Sequence, residues 1–185
     1  MAKIKSKRLF LCLNPPLDAK INIIKIINDY KEKIPGARWT TKNNLHITLH
    51  FLQNQNQENE INIKNICHSL SGNFNPINFE IIEINAFPNQ KKPRIIYLKN
   101  VQTNGDSAER LQKQLGIKLY KRGFNIEKRS WHPHVTIGRI KDPEPIVFEH
   151  ALEKIKYEIK KFELTESILT PVGPIYKTIE SYELQ

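Results

Sequence analysis

Hydrophobic residues recur along the chain with two periods, two residues in some segments and three to four in others. A period of two is typical of strands and a spacing of three and four of helices. The pattern predicts strands at 8–13, 45–52, 77–86, 94–99, 134–140, 162–169 and 175–184. It predicts helices at 18–33, 60–70, 104–122 and 148–157. The polar segment 53–59, QNQNQEN, is predicted to be a loop.

This order of elements indicates the fold class. Strands are separated by short turns rich in proline and glycine, such as 87–93 and 171–174, which favour hairpins. Helices occur between some strands without the regular alternation of a parallel α/β fold. The prediction is an α+β protein with largely antiparallel sheets, and residues 1–185 are expected to form a single domain.

Composition narrows the class of protein. Hydrophobic residues make up 39% of the chain, and no apolar run is long enough to cross a membrane. The apolar run after the basic N-terminus is too short for a signal peptide, so we expect a cytoplasmic protein without membrane contact. Cys12 and Cys67 lie in unlike contexts and are predicted to be small buried residues without a disulfide. The formal net charge of +10 favours polyanionic partners, nucleic acid or nucleotides.

Two short motifs carry the candidate chemistry. His46 and Thr48 lie in the run LHITLHFL, and His134 and Thr136 lie in WHPHVTIGRI. Residues two apart on a strand point the same way, so each motif presents an imidazole beside a hydroxyl. Two such pairs brought together provide two proton-transfer groups and two hydroxyl donors, a set that suits a phosphate. The motifs are separated by about half the chain, as an internal duplication with pseudo-twofold symmetry would produce.

The sequence gives less support for a catalytic role of the remaining histidines. On a regular strand His46, Thr48 and His50 share one face, but four residues span roughly 13 Å, too far for one metal ion. His50 is therefore predicted to lie on the surface or behind the site. His132 lacks a threonine two residues later and is predicted not to be catalytic. His68 and His150 fall in predicted helices and are expected on the surface.

Several cationic and aromatic residues allow two interpretations. Arg139 lies on the opposite face of a regular strand from Thr136, and a bulge at Gly138 would redirect it toward the site. Trp39 is either a base-stacking platform or a core residue. Lys91, Lys92 and Arg94 either contact a nucleic-acid backbone or form a solvated hairpin tip.

These motifs and their surroundings resemble a known family. The chain is similar to the RNA 2′,3′-cyclic phosphodiesterases, also called the 2′-5′ RNA ligase family, of the two-histidine (2H) phosphoesterase superfamily. The resemblance rests on HITL and HVTI, on the flanking runs RLF, RW, RIIYL and GR, and on the segment 167–176, all in the right order. His50 departs from the small or apolar residue that such proteins often carry there.

The resemblance implies a bilobal fold of two pseudo-symmetric lobes of antiparallel sheet flanked by helices, with the active-site cleft between them. It also implies hydrolysis of RNA 2′,3′-cyclic phosphate ends to 2′-phosphates, with reversible 2′-5′ ligation in vitro, and without metal or cofactor. By resemblance, His46 is the general acid and His134 the general base, and the reverse pairing remains open. Thr48, Thr136 and Arg139 are expected to bind the phosphate.

Two alternatives remain at this point. One is a phosphodiesterase acting on another ester, such as ADP-ribose 1″,2″-cyclic phosphate or 2′-5′ oligoadenylate. The other is an RNA-binding module without catalysis, which the net charge suggests. The expected partner is RNA with a 2′,3′-cyclic phosphate end or a cyclic nucleotide, and the protein is expected to be a monomer.

Overall fold

The computed structural model describes residues 6–148 and 153–185. Within them lie nine strands and three α-helices. The strands are β1 Lys7–Leu13, β2 Ala37–Trp39, β3 Ile47–Gln55, β4 Ile77–Phe87, β5 Ile95–Gln102, β6 His134–Ile140, β7 Ile155–Ile159, β8 Lys161–Thr170 and β9 Gly173–Glu183. The helices are α1 Leu17–Lys31, α2 Gln57–His68 and α3 Ser107–Lys121, and a short 3₁₀ helix spans Lys42–Asn44.

All strand pairs are antiparallel, and the sheet has the order β7-β4-β5-β6-β3-β1-β8-β9, with β2 added to β6. Two lobes result, β7-β4-β5-β6 with β2, and β3-β1-β8-β9. They join where β3 meets β6, at the pair Ile47–Val135. The predicted α+β bilobal architecture is confirmed, and each lobe contributes one motif strand to the junction.

The core lies on the side of the strands that faces the helices. Leu11, Ile47, Ile96 and Val135 are fully buried there. Cys12 and Cys67 are also buried and form no disulfide, as predicted. In α3 the predicted apolar positions are buried, and the helix ends just before Gly123, which has a φ of 84°. Burial of apolar side chains on this scale supplies most of the stabilisation of the fold.

The predicted helix at 148–157 is wrong where the structure describes it. Residues 149–152, including His150, lie outside the described residues, and Ile155–Ile159 forms β7. The run IKYEI alternates buried and exposed residues, and it pairs with β4 from Ile77 to Ile81. The period of two in these five residues indicated a strand more directly than the wider apolar spacing indicated a helix.

The predicted polar loop at 53–59 is also wrong. Strand β3 continues to Gln55 and α2 begins at Gln57, so the connection is Asn56 alone. The Asn56 side chain caps α2 by accepting a hydrogen bond from the amide of Asn59 at 2.8 Å. Asparagine-rich sequence can therefore end a strand and start a helix, because its side chain satisfies free backbone donors.

Candidate active site

The two motifs meet at the junction of the lobes. In antiparallel pairing, the Ile47–Val135 pair leaves the flanking residues facing one another, His46 with Thr136 and Thr48 with His134. The two central residues point into the core, and the four motif side chains are half-buried on the open face. The structure thus brings together the four residues that the sequence predicted to share a site.

The tautomer of His46 follows from its hydrogen bonds. Its Nδ1 lies 2.7 Å from the carbonyl oxygen of Asn44, and its Nε2 lies 3.1 Å from the hydroxyl of Thr48. A carbonyl oxygen only accepts, so Nδ1 carries the proton and donates. In the neutral imidazole Nε2 is then unprotonated and accepts from Thr48, which places the reactive nitrogen on the open face.

His134 repeats this arrangement in the other lobe. Its Nδ1 donates to the carbonyl oxygen of His132 at 2.8 Å, again the residue two positions earlier. Its ring packs edge-on against Tyr97, with centroids 5.4 Å apart. His132 therefore serves through its backbone, while its own side chain is exposed. Both imidazoles are oriented by a carbonyl, a device that fixes which nitrogen is available for proton transfer.

His46 lies in an aromatic and cationic environment. Its ring is 4.9 Å from the ring of Phe10 and 5.1 Å from that of Tyr176. Burial lowers the pKa of His46 to about 4, the bond to Asn44 opposes this shift, and the positive charges of Lys20, His134 and Arg139 add to it. His46 is therefore neutral at pH 7 in the ligand-free protein.

The lowered pKa predicts how stability depends on pH. The pKa of His46 is about 6.5 in the unfolded protein. As pH falls from 6.5 toward 4, the unfolded chain binds a proton that the folded protein does not bind, so the free energy of unfolding decreases. We expect wild type to lose roughly 3 kcal/mol of unfolding free energy between pH 6.5 and 4 that the His46→Gln variant does not lose. Urea unfolding of both proteins across this range measures it. Equal losses of unfolding free energy in the two proteins would contradict the lowered pKa of His46, since losses from other groups, His50 included, are common to wild type and variant.

An irregularity in β6 places Arg139 on the open face. The register runs from Ile96–Gly138 to Tyr97–Thr136, so Ile137 has no partner on β5. This extra residue reverses the alternation, and Gly138 is buried while Arg139 is exposed on the side of Thr136. The predicted redirection of Arg139 is present, although the extra residue is Ile137.

Trp39 packs directly over this irregularity. Its ring lies 3.2 Å from where a Cβ on Gly138 would stand, which is tighter than an ordinary van der Waals contact. Of the two interpretations of Trp39, the packing role is therefore the one that its contacts support.

The same irregularity occurs in β3, at the equivalent position. Here Leu11 pairs with His50 and Cys12 with Thr48, so Leu49 has no partner on β1. His50 consequently turns inward: it is 5% exposed, and its Nε2 lies 2.8 Å from the carbonyl oxygen of Gln112 in α3. Of the two positions predicted for His50, the one on the surface is wrong, and His50 does not share a face with Thr48. On a regular strand Phe51 would share the buried face of Ile47 and Leu49, whereas in the structure it is 50% exposed.

Several residues of the site were not predicted individually from the sequence. Arg38 pairs in register with Arg139, and its guanidinium donates to the carbonyl oxygen of Val172 in the β8–β9 turn. The side-chain amide of Asn44 donates to the carbonyl oxygen of Pro174, at the start of β9, at 2.8 Å. These bonds hold the hairpin that carries Tyr176 against His46. Contacts between residues so far apart in the chain cannot be read from local pattern.

Glu163 forms a buried polar group beside the first motif. It is 4% exposed; Asn14 and Thr178 donate to its Oε2 at 2.6 and 2.9 Å, and Lys161 lies 3.1 Å from Oε1. Asn14 and Thr178 also line a small cavity next to His46. The paired carboxylate thus braces one wall of the site, and burying it is tolerable because each oxygen has partners.

The described residues contain no group of three or more histidines, cysteines or acidic residues that could hold a metal ion. Within residues 6–148 and 153–185, no helix is long and apolar enough to cross a membrane.

His68 was predicted to lie on the surface. It is the last residue of α2 and is exposed, and its Nε2 lies 2.7 Å from a carboxylate oxygen of Glu180.

Chemically, the site combines groups that act on phosphate esters. Two imidazoles near one another transfer protons in both directions near neutral pH. Two hydroxyls and a guanidinium on the same face provide donors for anionic oxygens. The arrangement therefore suits acid–base cleavage of a phosphodiester.

Comparison with known proteins agrees with this chemistry. The family model described as LigT like Phosphoesterase matches residues 13–97 and 100–176. A curated relative from Methanocaldococcus jannaschii, an RNA 2′,3′-cyclic phosphodiesterase, is 34% identical over 182 residues, which cover 95% of this chain and 99% of the relative. A relative from Thermotoga maritima with the same name is 30% identical and covers 96% and 95%.

Solved structures extend the agreement to the fold. A Thermus thermophilus protein superposes with a TM-score of 0.85 at 23% identity, covering 95% of this chain and 97% of that one. Escherichia coli LigT complexed with 3′-AMP superposes with a TM-score of 0.83 at 18% identity, covering 98% and 99%. The resemblance noted from the two motifs is thereby confirmed along nearly the whole sequence, and this chain belongs to the LigT-like phosphoesterase family.

Proposed function

We propose that the protein hydrolyses 2′,3′-cyclic phosphate ends of RNA to 2′-phosphates, without a metal ion or cofactor. The observation that carries the proposal is the symmetry of the two histidines. Each donates from Nδ1 to the carbonyl two residues before it, and each stands across from a motif threonine. The curated relatives that match over nearly the full chain are named RNA 2′,3′-cyclic phosphodiesterases, which supports the same substrate class.

The reaction assigns one role to each motif residue. His134 accepts a proton from water, and the water oxygen attacks phosphorus. The bond from phosphorus to the ribose 3′ oxygen breaks, and His46 gives its proton to that oxygen. One water is consumed, the product is a 2′-phosphomonoester with a free 3′ hydroxyl, and the two histidines return to their starting states by proton exchange with solvent. Thr48, Thr136 and Arg139 donate to the non-bridging oxygens as negative charge increases there.

The low pKa of His46 constrains these roles. A general acid must carry a proton, and His46 at pH 7 carries none on Nε2 in the free protein. The proposal therefore requires that the anionic substrate raise this pKa, by offsetting the positive charges of Lys20 and Arg139. The reverse pairing, with His46 as base and His134 as acid, uses the unprotonated Nε2 of His46 directly and is the alternative.

A substrate with a bridging sulfur distinguishes the two pairings. A cyclic phosphate whose 3′ oxygen is replaced by sulfur has a leaving group that needs no proton. If His46 is the acid, the His46→Ala variant regains most of its lost kcat on this substrate, and His134→Ala does not. Single-turnover rates for both variants on oxygen and sulfur substrates give the result, and rescue of His134→Ala instead would establish the reverse pairing.

Other esters fit the same four motif residues and need a direct comparison. Turnover of a short RNA with a 2′,3′-cyclic end, ADP-ribose 1″,2″-cyclic phosphate and 2′-5′ oligoadenylate is expected to give the highest kcat/KM for the RNA. A higher value for another ester would move the function to that substrate. RNA binding without turnover of any ester would favour a non-catalytic module. The protein is expected to act as a monomer, because both motifs come from one chain.

A further inference from the structure

We propose that Trp131 is a positioning residue, the side chain of which holds the second motif against the first across the junction of the lobes. The inference rests on the proposed function, in which His46 and His134 transfer protons in one reaction and therefore need a fixed separation. Trp131 belongs to the run that carries the second motif, but the chemistry of phosphate cleavage gives its side chain no role.

The junction of the lobes has little backbone pairing of its own. Among the described residues, Ile47–Val135 is the one pair that joins β3 to β6. Further along β6, the neighbouring strand is β2, with Trp39 opposite Gly138. In the other direction β6 begins at His134, so the ladder ends beside Thr48. A contact that fixes the two motifs at this end has to come from outside the ladder.

The indole of Trp131 makes such a contact. Its Nε1 donates to the backbone carbonyl oxygen of Thr48 at 2.8 Å. An indole nitrogen is a donor only, so the direction of this hydrogen bond is fixed. Trp131 is half-buried and packs against the core, which limits the movement of its ring. The side chain therefore connects the segment before β6 to the motif strand of the other lobe.

The backbone that follows Trp131 extends this connection to His134. The next carbonyl, that of His132, accepts from Nδ1 of His134 at 2.8 Å. The carbonyl oxygen of Pro133 accepts from the backbone amide of Asn100, in β5, at 3.0 Å. The segment 131–133 is thus bonded to one lobe through an indole and to the other through its backbone. The carbonyl that orients the imidazole lies between these two bonds.

The carbonyl that orients His46 is held in another way. It belongs to Asn44, the side chain of which donates to Pro174 of β9, in the lobe that contains β3. The carbonyl partner of His134 is instead adjacent to a residue that bonds across the junction. Loss of the Trp131 hydrogen bond is therefore expected to loosen His134 and to leave His46 in place.

Exchange of imidazole protons with water tests this difference without depending on turnover. Trp131→Phe removes the indole N–H and keeps an aromatic ring for packing. We expect exchange at Nδ1 of His134, followed by NMR in the ligand-free protein, to become about 3- to 10-fold faster, the change expected for loss of one hydrogen bond. Exchange at Nδ1 of His46 is expected to stay within about twofold of wild type.

Trp39→Phe is the matched control for this measurement. Trp39 is also half-buried and lies next to β6, but its Nε1 has no hydrogen-bond partner within residues 6–148 and 153–185. The substitution therefore removes an indole N–H that makes no bond. It is expected to leave both exchange rates unchanged.

Kinetics relate the contact to the reaction. On a 2′,3′-cyclic phosphate, Trp131→Phe is expected to lower kcat about 10- to 100-fold with KM within about twofold, because misplacing a proton-transfer group slows the chemical step and leaves binding intact. In a His134→Ala background the same substitution is expected to lower the single-turnover rate less than about twofold, since the group that it positions is already absent. A side chain that only stabilises the fold would lower the rate by the same factor in both backgrounds.

Several results would overturn the role of Trp131. Equal acceleration of exchange at His46 and His134, or no acceleration at His134, would do so. An unchanged kcat in Trp131→Phe, or the same loss with and without His134, would do so as well. Absence of turnover on cyclic phosphates by wild type, with selectively faster exchange at His134 in Trp131→Phe, would refute the proposed function and uphold the positioning of His134.

Discussion

Replacing His46 or His134 by alanine is expected to lower kcat on a 2′,3′-cyclic phosphate by about 10²–10⁴-fold, the usual contribution of one general acid or base. Each imidazole has its Nδ1 committed to a backbone carbonyl, which leaves its Nε2 for one proton transfer, so neither can replace the other. The double variant is expected to lose little more than the more damaged single variant, because acid and base act in one step. Steady-state kinetics with RNA ending in a cyclic phosphate measures these losses.

Two other histidines provide matched controls for this result. His132→Ala removes a side chain two residues from His134 while leaving the carbonyl that holds it, and His68→Ala removes an exposed imidazole from α2. Both are expected to keep kcat within a few-fold of wild type. A His46→Ala or His134→Ala protein with intact thermal unfolding and near wild-type kcat would contradict the two-histidine mechanism.

Replacing Thr48 or Thr136 by valine is expected to lower kcat by about 10²–10³-fold, the cost of losing one donor to a developing oxyanion. Valine matches threonine in shape, so the loss reports the hydroxyl. For Thr48 the hydroxyl also lies 3.1 Å from Nε2 of His46, so the Thr48→Val variant is expected to be the more damaged of the two.

The serine variants separate the hydroxyl from the rest of the side chain. Thr48→Ser and Thr136→Ser keep the donor and are expected to retain most of the activity that valine removes. Increased KM with unchanged kcat in the valine variants would instead show that these hydroxyls hold the substrate and the transition state equally.

The sequence contained enough information for the motif residues and most of the fold. Two strong local signals predicted elements that the structure confirms. One is the alternation through the motif strands, and the other is the apolar repeat of α3 at Leu111, Leu115 and Leu119. The meeting of His46 and His134 was also predictable, because two like motifs on strands suggest one site. Boundaries were less predictable: β3 begins at Ile47, so His46 lies just before the strand.

Features that depend on strand register could not be predicted from the pattern of hydrophobic and polar residues. One extra residue at Leu49 exchanged the environments of His50 and Phe51, and a regular alternation assigns both to the wrong side. In β6 the glycine at 138 indicated an irregularity, and Arg139 was anticipated for that reason. The β8–β9 hairpin that brings Tyr176 to His46 is held by bonds to Arg38 and Asn44, contacts that only the tertiary fold creates.

The most direct test of the central claim is hydrolysis of a short RNA ending in a 2′,3′-cyclic phosphate, in excess EDTA, with the product isomers resolved. The two-histidine mechanism predicts full activity in EDTA and a product that carries a 2′-phosphate. A 3′-phosphate product would contradict the assignment of the leaving oxygen. Loss of activity in EDTA, restored by a divalent metal ion, would contradict catalysis by the two histidines alone.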